Sequence, residues 1–117
     1  MGLPRMTRSL EATLKDFLTF FMEGQPTDFI ASELLVSSEI IGHMNPSSKF
    51  AKAIHAAEVS FPKQGFSWWE PPSDLRAIVD AVRYEVSRSR STEEAMQTLY
   101  DLISEDSPAF LSHVRLH

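Results

Sequence analysis

The chain has 117 residues, 43% of them hydrophobic and 23% charged, with a formal net charge of −5, a composition typical of one globular domain with its own core. It contains no cysteine, which excludes disulfides, thiolate nucleophiles, iron–sulfur clusters and sulfur-ligated zinc. The acidic balance argues against direct nucleic-acid binding, and no apolar run approaches the roughly 20 residues that span a bilayer, so no membrane partner is expected.

The opening Met1-Gly2-Leu3-Pro4-Arg5-Met6 lacks the apolar centre of a signal peptide, and Met6 stands where a myristoylation motif has Ser or Thr. A soluble, cytoplasmic protein with a flexible N-terminus over residues 1–7 is the expectation. The first helix is predicted from about Ser9 to Glu23, because Leu10, Leu14, Phe17 and Phe21 share one face and Gly24-Gln25-Pro26 stops it. A second is predicted from Thr27, as N-cap, to about His43. Its Phe29, Ile30, Leu34, Leu35, Val36, Ile40 and Ile41 spread round most of the circumference, which places it in the middle of the fold.

Ser47 or Ser48 is positioned to cap a third helix that runs to about Phe61, with Phe50, Ile54 and Ala57 on one stripe. The stretch Pro62 to Pro72 holds three further residues of note, Trp68, Trp69 and Gly65, and its prolines forbid regular structure through most of it. A fourth helix opens at Ser73-Asp74 and carries Leu75, Ile78, Val79, Val82 and Val86 on one side. Ser91 and Glu94 have capping-box spacing for a fifth, in which Met96, Leu99 and Ile103 oppose Glu94, Asp101 and Glu105. Ser107-Pro108 reads as the start of a short last helix. The sum is an all-α, compact single-domain bundle of five to six helices, residues 1–117, with one long loop containing proline and tryptophan.

Four features stand out against that scaffold. Trp68 and Trp69 are adjacent in an extended segment, so their rings point to different sides; either both lid the core or one serves a partner, as tryptophan often does at binding hot spots. Tyr84 lies opposite the apolar stripe of the fourth helix with Ala77 and Ala81 beside it, a second face that is either sandwiched within the fold or covered by a partner. The segment from Ser91 to Val114 has five acids, Glu93, Glu94, Asp101, Glu105 and Asp106, and no Lys or Arg, so the whole net charge lies there. Glu94, Asp101 and Glu105 form one stripe, readable as a solvated face or as a docking strip for a basic protein. Ser87-Arg88-Ser89-Arg90-Ser91 reads as a helix terminus followed by a cap, with a phosphorylation site or small basic patch as the alternative.

Chemistry is harder to find. His43 and His55 have no ligand-like neighbours in sequence, and His113 and His117 have the spacing of helical zinc ligands without an acid to complete a site. The four glycines are isolated, so no phosphate-cradling loop is present, and neither a metal nor a cofactor is expected. The reading that fits is a non-enzymatic protein-binding module, in one version a small acidic inhibitor or immunity-type protein acting on a basic partner. Its expected contact residues are Trp68, Trp69, Tyr84, Glu94, Asp101 and Glu105. The alternatives are a structural or homodimeric subunit joined through Tyr84, a helix-turn-helix regulator, disfavoured by the long loop between the third and fourth helices, and an enzyme whose site is assembled only by the fold.

Overall fold

In a computed structural model, which describes residues 7–62 and 69–104, the chain forms six helices and, among those residues, no strand. Helix α1 (Arg8–Met22) starts where the Thr7 hydroxyl accepts a hydrogen bond from the Leu10 N–H at 3.1 Å, meeting one of the donors that a helix N-terminus leaves without a partner. It buries Leu10, Leu14, Phe17, Leu18 and Phe21. Its end is a Schellman motif: Gly24 takes φ +75°, its N–H donates to the Phe21 carbonyl at 3.1 Å, and the Gln25 N–H donates to the Phe20 carbonyl at 3.0 Å.

The single helix expected from Thr27 to His43 is two helices, α2 (Thr27–Val36) and α3 (Ser38–His43). Ser37 divides them. Its backbone leaves the helical region at ψ 104°, and its hydroxyl accepts from the Ile40 N–H at 3.3 Å to cap α3, a side-chain bond that competes with continued helix. The expected central position is also corrected. Ile30, Ala31, Leu34, Leu35 and Ile40 are buried, but Phe29 is 38% and Val36 61% exposed, because the wide apolar spread is shared between two short helices. Nor is Thr27 the N-cap. Pro26 holds that position, and the Thr27 hydroxyl donates to Asp80 Oδ1 at 2.8 Å.

Helix α4 (Lys49–Ser60) is capped by Ser48, whose hydroxyl accepts from the Ala51 N–H at 3.0 Å while being buried itself. It contributes Phe50, Ala53, Ile54 and Ala57 to the core. Helix α5 (Ser73–Arg88) buries Leu75, Ile78, Val79 and Val82, and helix α6 (Thr92–Ser104) buries Ala95, Met96, Leu99, Leu102 and Ile103. The middle of the bundle is this last pair. Helix α5 packs against α1, α2, α4 and α6, and α6 against α1, α3, α4 and α5. A 2.7 Å bond from the Asn45 N–H to the Ile103 carbonyl ties the α3–α4 turn to the end of α6. Residues 1–6, within the expected flexible N-terminus, and the short helix expected from Ser107 lie outside the described residues.

Candidate docking surface at the α5–α6 groove

Helices α5 and α6 are joined by only three residues, Ser89-Arg90-Ser91, which forces them to pack as a helical hairpin. Local hydrogen bonds fix the joint. The Ser87 hydroxyl donates to the Tyr84 carbonyl at 2.6 Å and the Ser89 hydroxyl to the Glu85 carbonyl at 3.0 Å, satisfying acceptors of the last turn of α5. Ser91 then caps α6 by accepting from the Glu94 N–H at 3.1 Å, and a Glu94 carboxylate oxygen lies 3.4 Å from the Arg90 N–H. The reach-back expected of a capping box is thus made one residue early, to Arg90 rather than Ser91.

Between the two helices runs an open groove of about 340 Å³, lined by Glu85, Arg88 and Ser89 of α5, Arg90 of the joint, and Glu94 and Thr98 of α6. Tyr84 stands beside it. Arg88 Cζ lies 5.4 Å from the Tyr84 ring centroid, and its Nη1 donates to the phenolic oxygen at 3.3 Å; such a cation–π pair is worth about 0.5–1 kcal/mol at an exposed site. Tyr84 is nonetheless 58% exposed, whereas Ala77 and Ala81 pack against the core. The second face of α5 is therefore covered by the fold at its alanines and open at its aromatic ring.

On α6, Glu93 and Glu94 are exposed and Asp101 is half-buried, accepting from Gln97 Nε2 at 2.7 Å. Among the described residues none of the three forms an ion pair with a Lys, Arg or His. Tyr84, Glu94 and Asp101, picked out separately in the sequence, thus belong to one helical hairpin. Glu105 and Trp68 lie outside the described residues.

Trp69 is elsewhere, in the segment leading into α5. Its ring meets Phe61 edge to face at a centroid distance of 4.8 Å, and its Nε1 donates to the Ser60 hydroxyl at 3.1 Å. It is half-buried against the core, which is how a lid over the end of α4 behaves. Arg88 and Arg90, read in the sequence as helix-end residues, line the groove as well. The signal for Arg88 was its i,i+4 spacing from Tyr84, which places two side chains side by side on a helix.

His43 and His55 stand on different helices, α3 and α4. His55 Nδ1 lies 3.0 Å from Glu58 Oε1 on its own helix, with both side chains exposed. His43 Nδ1 is 3.0 Å from the Glu39 carbonyl oxygen and 3.5 Å from Glu39 Oε2, which is buried and makes no hydrogen bond; the shorter contact to the carbonyl is the one that orients the ring. Among the described residues no three His, Asp or Glu side chains gather as metal ligands, and no helix is long and apolar enough to cross a membrane. His113 and His117 lie outside them. The void inside the core, lined by Leu14, Phe17, Val79, Leu99 and other apolar side chains, measures about 10 Å³, less than a water needs with polar partners.

No protein-family model matches the chain, and neither the curated proteins nor the solved structures include one detectably similar to it.

Proposed function

We propose that this chain is a non-enzymatic protein-binding module that docks a basic protein on its α5–α6 face. The observation that carries the reading is the combination on one hairpin of an exposed Tyr84 beside Arg88 with α6 carboxylates that have no cationic partner among the described residues. Tyr and Arg are the residue types enriched where binding energy concentrates. Unneutralised carboxylates add long-range attraction, which raises association rates with a basic surface and weakens as salt screens it. In the most concrete version the chain is an inhibitor that covers the basic surface of a nucleic-acid-handling enzyme, its own acids taking the place of phosphates.

Affinity capture from the native source tests this, using the full chain and a Glu93→Gln, Glu94→Gln, Asp101→Asn variant that keeps the hydrogen-bond acceptors. The expected result is a basic protein retained by the wild type at low salt, released at high salt and lost with the neutralised variant. Identical capture by both forms overturns the reading.

A further inference from the structure

We propose that Ser91 is a phosphorylation site, modified by a serine kinase that reads the arginines before it, and that the added phosphate strengthens the hold of the α5–α6 face on a basic protein. The modification stands on the chemistry of the joint alone. Its effect on binding rests on that face being the docking surface.

The joint and the helix end before it offer three serines, and hydrogen bonding separates them. The Ser87 hydroxyl donates its proton to the Tyr84 carbonyl at 2.6 Å, and the half-buried Ser89 hydroxyl donates to the Glu85 carbonyl at 3.0 Å. Ser91 is exposed, and its oxygen accepts from the Glu94 N–H at 3.1 Å. Among the described residues its O–H donates to no acceptor in the chain, so the proton leaves without breaking an internal bond.

The charge pattern selects the same hydroxyl. Arg88 and Arg90 stand three residues and one residue before Ser91, both are exposed, and among the described residues neither forms an ion pair. Ser89 has only Arg88 close before it, and Ser87 has nothing nearer than Arg83. Charge patterns around the acceptor are what kinases use to discriminate substrates, and arginines on the N-terminal side suit an acidic substrate channel. Acids follow Ser91 at Glu93 and Glu94, so the sequence around it is basic before and acidic after.

The donor is ATP. The Ser91 Oγ attacks the γ-phosphorus, and an Oγ–P bond forms as the bond from that phosphorus to the bridging oxygen of the β-phosphate breaks. ADP leaves, and the hydroxyl proton passes to the catalytic carboxylate of the kinase. The product carries about −1.5 to −2 of added charge at pH 7, next to Glu93 and Glu94. Its oxygens are acceptors for the Glu94 N–H in place of the hydroxyl, and for the guanidinium of Arg90 or Arg88. The positive charge on the face is then offset while its negative charge grows, and both changes increase attraction for a basic partner.

Phosphorylation of the folded full chain by a purified arginine-directed serine kinase with ATP, followed by intact mass and peptide mapping, tests the site. The expected result is one phosphoryl group on wild type at Ser91, none on Ser91→Ala, and loss of most of the rate with Arg88→Ala/Arg90→Ala, all three forms being folded by circular dichroism. No incorporation into wild type, incorporation at Ser87 or Ser89 instead, or an unchanged rate without the arginines overturns the proposal. Chain isolated from its native source with phosphatase inhibitors is expected to carry the same phosphate, and Ser91 unmodified under every growth condition overturns it as well. In affinity capture the phosphorylated chain is expected to retain more of the basic protein than the unmodified chain, and equal retention overturns the regulatory effect. The docking reading fails separately, through capture unchanged by neutralising Glu93, Glu94 and Asp101, whatever the state of Ser91.

Discussion

Thr27 opens α2 and Asp80 lies in the middle of α5, and the 2.8 Å hydrogen bond from the threonine hydroxyl to the aspartate carboxylate joins them across 53 residues of sequence. The bond fixes where α2 begins relative to α5, the helix against which it packs. Replacing Thr27 by Val or Asp80 by Ala is expected to lower unfolding free energy by about 1 kcal/mol each, the usual net worth of one partly exposed hydrogen bond. Urea denaturation of both single variants and the double variant gives the coupling. If the pair matters as drawn, the double variant loses less than the sum of the singles.

Gly24 makes a sharper prediction about the α1–α2 turn. At φ +75° an added Cβ meets no atom within 4 Å, so the cost of a side chain there is backbone strain and not a clash. Gly24→Ala is expected to destabilise by about 1 kcal/mol, and Gly24→Asn by less, since Asn tolerates the left-handed region. Thermal unfolding of the two variants ranks them, and equal losses contradict the assignment.

Glu94 has two roles that substitution can separate. Its carboxylate reaches back to the Arg90 N–H while Ser91 caps the Glu94 N–H. Ser91→Ala is expected to cost about 1 kcal/mol of stability, whereas Glu94→Gln, which keeps an acceptor oxygen, leaves stability nearly unchanged and removes a charge from the docking face. Denaturation midpoints measured beside partner capture distinguish the two effects.

Trp69 is expected to act mainly through stability. Truncating a half-buried ring that packs on Phe61 and donates to Ser60 removes a large part of its apolar burial, and Trp69→Ala is expected to cost about 2 kcal/mol, below the range for fully buried aromatics. Trp69→Phe keeps the edge-to-face contact and loses only the hydrogen bond, so it recovers about half. Chemical denaturation of both variants checks the order.

Much of this architecture is legible in the sequence where a single physical rule governs a segment. The Leu10, Leu14, Phe17, Phe21 stripe, the Ser48 cap, the stripe of α5 and the Ser91 cap of α6 each depend on residues within a few positions of one another, and each lies where periodicity and capping put it. The break at Ser37 is different. A serine inside an apolar run is compatible with a continuous helix or with a new cap, and only packing against other helices chooses. Thr27 misleads for a related reason, because a capping-type residue was available for a bond whose acceptor lies on an element far along the chain. The groove was invisible as a unit, since Tyr84, Arg88 and Glu94 become neighbours only when the three-residue joint folds α6 back on α5.

Whether α5 and α6 form the docking face is read by an amide chemical-shift titration of the isotope-labelled full chain with a synthetic lysine-rich peptide. At low salt the predicted shifts cluster at Tyr84, Arg88, Glu94, Thr98 and Asp101, and they shrink as salt is raised. Shifts centred on Phe61 and Trp69, or none at any peptide concentration, contradict it.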